Sequence, residues 1–204
     1  MEIIELIIDE NEEYSGIEAI SVVESPAIEE EFIALKNQDP IRLAEISKEK
    51  RLLIGAALIP DKPIYRKNGE HEFYIFFSKD TVAKASQMFL KAGNQSKATM
   101  EHTDEKLEGM TIVESWLIED EVHDKSRKYG LDMPVGTWMV AMKVDNNDIW
   151  NNYVKEGKVK GFSIEGFFAD KLNRPQDKQQ DKLTEEDKLL NQIIDVLKES
   201  NTNA

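Results

Sequence analysis

Residues 51–170 are a succession of short β-branched and aromatic runs, separated by Gly, Pro, Asn and Asp, and only two stretches carry helical spacing. Apolar runs this short cannot bury themselves as helices, so the chain must build sheets around a shared core. LLIGAALIP at 52–60 is continuously apolar, contains Gly55 and stops at Pro60, as expected of a buried strand that another backbone approaches closely. HEFYIFFS at 71–78 is a second strand, rich in aromatics. From Ser78 the spacing of Val82, Ala85, Met88, Phe89 and Ala92 predicts a helix that ends at Gly93-Asn94. ATMEHT at 98–103 and MTIVESWLIED at 110–120 read as a hairpin closed by the polar turn 104–109. GTWMVAMKV at 136–144 is a further strand. Residues 145–155 form a short helix carrying Ile149, Trp150 and Tyr153, with Gly157 just past its end, and VKGFSIEGFFAD at 159–170 returns as the last strand.

Both ends are more polar. Residues 1–8 read as a strand, followed by the charged cluster 9–13, and 17–36 hold a β-branched run broken at Ser25-Pro26. Residues 1–50 contain 14 acids and four bases, so −10 of the net charge of −14 falls on the first quarter of the chain, as in a solvated or partner-facing segment. Residues 171–183 are polar and aperiodic, a linker. In 184–204, Leu189, Leu190, Ile193, Ile194 and Leu197 share one face of an amphipathic helix, which needs a partner, another copy or the body of the protein to cover it. The expected organisation is one α+β domain over 1–170, the linker 171–183 and the helix 184–204.

Composition narrows the function. There is no cysteine, hence no disulfide framework, thiolate zinc site or cysteine nucleophile. A charge of −14 without a basic stripe repels phosphate backbones, so direct nucleic-acid binding is not expected. No run approaches the length of a membrane span and the N-terminus is acidic, so a soluble chain without a signal peptide is expected. No glycine-rich nucleotide loop occurs. The three histidines, His71, His102 and His123, lie far apart and outside any metal motif, so neither metal nor cofactor is expected. His71 reads as a strand-edge residue and His123 as a solvated loop residue.

A hydrolase would then need serine, threonine or carboxylate chemistry, and paired carboxylates in so acidic a chain discriminate nothing. A serine is a poor nucleophile until an imidazole takes its proton, and the imidazole works best when an acid fixes its tautomer. His102 and Ser163 are the pair of interest. Ser163 sits in KGFSIEGF between Gly161 and Gly166, where a substrate backbone can come close and amide N–H groups can receive an oxyanion. If 98–103 and 110–120 form an antiparallel hairpin, His102 faces residues 111–114, which brings Glu114 into the window; Asp104 and Asp120 remain alternatives for the acid.

Three segments carry a resemblance: SGIEAISVVESPAIEEEFIALK near the start, MEHTDEKLEGMTIVESWLIED around His102, and PVGTWMVAMKV followed by WNNYVKEGKVKGFSIEGFF around Ser163. Over about residues 16–170 the chain resembles the capsid maturation (prohead) serine proteases of tailed phages, in particular their phage serine protease branch. The resemblance implies a fold similar to the herpesvirus capsid protease, a mostly antiparallel β-barrel with flanking helices and with the serine and histidine on neighbouring strands. It implies a serine endopeptidase with His102, Ser163 and Glu114 as its catalytic residues. Its substrates would be the scaffold protein, the major capsid protein and the enzyme itself, cut inside the prohead in the host cytoplasm, with a homo-oligomer possible. The competing expectation is a non-catalytic scaffold- or shell-binding protein built on the same fold.

Overall fold

The computed structural model describes residues 2–9, 15–29, 33–35, 50–103 and 106–170. In chain order these form β1 (Glu2–Ile7), β2 (Gly16–Val23), β3 (Ile33–Leu35), β4 (Leu52–Leu58), β5 (Ile64–Asn68), β6 (His71–Phe77), α1 (Lys79–Lys91), β7 (Ala98–Met100), β8 (Met110–Leu117), β9 (Trp138–Val144), α2 (Asn147–Ile149), β10 (Gly161–Phe167) and β11 (Ala169–Asp170). The expected linker and C-terminal helix lie outside the described residues.

Strands dominate and most pairs are antiparallel, as expected, but the described strands form three open sheets and no closed barrel. Their orders are β11-β1-β6-β5, β10-β2-β7 and β3-β4-β9-β8. β1 with β6 and β2 with β7 are parallel. The expected hairpin between 98–103 and 110–120 is the point of departure. β7 pairs in parallel with β2 and β8 pairs with β9; among the described residues no ladder joins the two runs, and Thr99 makes an isolated bridge to Lys106 of the intervening turn. The physical reason is packing: Met110 and Ile112 of β8 bury against the apolar sheet of β9, whose Val144 and Met142 are their register partners. β7 and β8 therefore belong to different sheets.

The core is aromatic and sulfur-rich. Trp138, Trp150, Phe89, Phe162, Met139 and Met142 are fully buried. α1 lays Val82, Ala85 and Phe89 on the sheets, and Phe89 meets Trp138 edge to face at 5.5 Å. Met88 is only partly buried and Ala92 is exposed, so the buried face is narrower than its spacing suggests. The helix ends as its sequence demands, with Gly93 left-handed at φ 70°. β5 is a strand that periodicity missed. It forms a hairpin with β6 through Gly69-Glu70, where Gly69 has φ 62°, and the Asn68-Gly69 dipeptide is the signal that marks it. The 145–155 segment starts under the Asn146 side chain, which accepts the Ile149 N–H at 3.1 Å, and widens into a π-helical turn over Trp150–Val154.

Candidate active site

The β10-β2-β7 sheet assembles the chemistry. Ser163 of β10 faces Ser21 of β2 in the antiparallel register, and Ser21 faces Thr99 of β7 in the parallel one. Register partners share a face of a sheet, so three hydroxyls line up across it. All are buried: Ser21 is 0%, Thr99 4% and Ser163 6% exposed. Glu165 follows Ser163 by one strand period, and its side chain belongs to the same face.

Glu165 is the hub of this face. Its carboxylate accepts hydrogen bonds from the Ser21 and Thr99 hydroxyls, which are themselves 2.5 Å apart. His102 Nδ1 stands 3.3 Å from Glu165 Oε1 and 3.4 Å from Ser21 Oγ. With a carboxylate at Nδ1 the tautomer carrying its proton there is favoured, which leaves Nε2 with a lone pair for an incoming proton. Two hydroxyl donors on the carboxylate hold it in place.

His102 reaches this position by an unusual backbone. Directly after β7, Glu101 and His102 both adopt positive φ, 49° and 57°. For residues with a Cβ that conformation costs about 1–2 kcal/mol each. Three hydrogen bonds offset it: Glu101 N–H to the Val22 carbonyl at 3.2 Å, Thr103 N–H to the Met100 carbonyl at 3.0 Å, and Glu24 N–H to Glu101 Oε1 at 2.6 Å. The turn folds the imidazole back over the sheet instead of letting it continue along the strand.

The expected site residues are placed as follows. His102 is at the hub, and Ser163 is in the row beside it, on β10, one strand removed from β7 by β2; no hydrogen bond joins the two. Glu114 is not brought to His102. It sits on β8 in another sheet, opposite Ala141, with its carboxylate in an ion pair with Lys125, because the hairpin that would have turned it toward the histidine does not form. Lys125 in turn lies over the Trp116 ring at 3.9 Å. Asp120 is engaged by His123, whose Nδ1 is 2.9 Å from its carboxylate; this bond, with the Val122 and His123 amides, draws the Asp120 pKa down to about 2. Asp104 lies outside the described residues. His71 opens β6, an inner strand of its sheet, and is exposed 3.3 Å from Glu2, while His123 is solvated, as its sequence context suggested. Gly166 is required for a different reason than an oxyanion: at the bulge after Glu165 a Cβ would overlap the Gly16 carbonyl.

Sequence reasoning missed three residues. Glu165 was legible in principle, since the period of a strand puts it on the face of Ser163. Ser21 and Thr99 carry no local signal; only the pairing of β2 with its two neighbours collects them. Among the described residues no group of three metal-ligating side chains occurs, and no helix is long and apolar enough to cross a membrane.

A buried serine row, an imidazole and a carboxylate at its Nδ1 are the groups that serine hydrolases use for acyl transfer, and they point to that class. The family comparison agrees: the model described as "Putative phage serine protease XkdF" matches residues 41–172, more than half of the 204-residue chain. The chain belongs to this family of phage serine proteases. No curated protein and no solved structure matches it.

Proposed function

We propose that the protein is a phage serine endopeptidase of head maturation, with Ser163 as nucleophile, His102 as general base and acid, and Glu165, in the place first expected of Glu114, as the carboxylate that orients the ring. The observation that carries this reading is the Nδ1–Glu165 contact on the sheet face that also bears Ser163. In the reaction Nε2 takes the Ser163 proton as Oγ attacks the peptide carbonyl. The imidazolium, stabilised by Glu165, then protonates the leaving amine, and water drawn to the same nitrogen hydrolyses the acyl-enzyme. Substrate binding has to close the gap between Ser163 and the ring; hydrogen bonds of catalytic groups are often long in the free enzyme and tighten in the complex. Ser21 and Thr99 act through Glu165 as positioning residues.

Membership in a phage protease family and the resemblance to prohead proteases support scaffold and major capsid protein as substrates, self-cleavage, and action inside the prohead in the host cytoplasm. The test is co-expression of the full chain with the phage's own scaffold and capsid proteins. Mass spectrometry should find fragments with the natural protein and none with Ser163→Ala. Intact scaffold in both cases would reject the enzyme and favour a shell-binding role.

A further inference from the structure

β10 has two faces. Ser163 and Glu165 occupy the one with the hydroxyl row, while Phe162 and Ile164 alternate to the other and line an apolar cavity of about 200 Å³. Leu58, Ile75 and Phe77 are among its other walls, and Ser163 borders it too, so the cavity adjoins the strand that carries the proposed nucleophile. An apolar cavity of roughly 150 Å³ takes a benzene-sized group, so this one suits a single leucine- to phenylalanine-sized side chain.

Among the described residues Arg66 is the only charged one in the lining. Its guanidinium donates to the Tyr65 carbonyl at 3.1 Å, and among the described residues it has no carboxylate partner, in a chain with 40 acids. A guanidinium with donors to spare matches a carboxylate in two-point geometry. Apolar walls, an arginine and a place beside the strand of Ser163 together describe a peptide-binding pocket.

Building on the peptidase reading above, we propose that this cavity is the side-chain pocket of the enzyme, which takes a large aliphatic or aromatic side chain of the substrate while Arg66 receives a carboxylate of the same peptide. Substrates are therefore cut near an apolar residue accompanied by Asp or Glu.

The experiment uses the full chain and synthetic peptides in which one position is Leu, Phe or Ala and its neighbours are Glu or Lys. Cleavage is followed by mass spectrometry, and binding is measured on Ser163→Ala. The Leu and Phe peptides should be cut at least tenfold faster than the Ala peptide, and the Glu versions faster than the Lys versions. Ala27→Phe, which fills the partly buried rim of the cavity, should collapse the large-over-small ratio. Arg66→Glu, on an exposed strand position, should reverse the Glu-over-Lys preference; circular dichroism checks that both variants fold. Ser163-dependent cleavage indifferent to these side chains, or preferences unchanged in both folded variants, overturns the pocket but not the peptidase. Selective binding to Ser163→Ala without cleavage by the natural protein overturns the peptidase and keeps the pocket; neither binding nor cleavage rejects both.

Discussion

Glu165 and His102 meet across an intervening strand: the carboxylate comes from β10, the imidazole follows β7, β2 lies between, and Nδ1 and Oε1 are still 3.3 Å apart. Neighbouring strands are about 4.8 Å apart, so the contact consumes the whole length of a glutamate together with the backward turn at Glu101 and His102. Length, and not charge alone, is what this position requires.

Glu165→Asp should therefore fail nearly as badly as Glu165→Gln. Each is expected to lower kcat by about 10²–10⁴-fold with little change in KM, the range expected when the acid behind a catalytic histidine is lost. Glu114→Gln, which only frees Lys125, should leave kcat within about twofold. Steady-state kinetics on a cleavable peptide decide this, and a damaging Glu114→Gln beside a harmless Glu165→Gln would return the acid to β8.

The two serines of the row should separate by magnitude. Ser163→Ala is expected to reduce cleavage by more than about 10³-fold. Ser21→Ala and Thr99→Val each remove one hydrogen bond to a charged carboxylate, worth about 1.5 kcal/mol or about tenfold in rate. Because Ser21 Oγ is 3.4 Å from Nδ1, the opposite ranking would identify Ser21 as the nucleophile.

The strained turn should depend on the Glu101 side chain. Glu101→Ala keeps the unfavourable φ and loses the bond to the Glu24 amide, which should cost about 1 kcal/mol of stability and a larger share of activity. Glu101→Gln can still accept that bond and should recover most of both. Urea denaturation beside activity assays tests the pair; equal loss in Ala and Gln variants would show that the acceptor is irrelevant.

Asp120 supplies a pH signature away from the site. Its pKa falls from 3.8 to about 2 through the His123 hydrogen bond first and the Val122 and His123 amides next. A carboxyl whose pKa is depressed by folding stabilises the folded state fully above its unfolded pKa, and that contribution fades as pH falls from about 4 toward 2. Carbon-detected titration should place the Asp120 midpoint near 2 and, in His123→Ala, move it upward. A midpoint near 4 in the natural protein would show that the pair does not persist in solution.

The sheet-rich class of the fold, the strands around 52–60, 71–78, 136–144 and 159–170, and helix α1 with its Gly93 stop were all legible from periodicity and turn residues. The hairpin proposed for 98–103 and 110–120 was not a safe reading, since a polar turn between two apolar runs says that the chain changes direction but not which strand it meets next. The same limit applies to the carboxylate beside His102: Glu114 followed from a local pairing, whereas the contact with Glu165 follows from β2 standing between β7 and β10.

The sequence by itself determined most of the segments that are strands and which residue types could do acyl transfer, because side-chain spacing and the absence of cysteine are properties of the chain. Only the tertiary structure decided that His102 meets Glu165 and that Ser21 and Thr99 hydrogen-bond its carboxylate. Strand partners distant in sequence are chosen by which apolar faces bury together, and that choice leaves no trace in local periodicity.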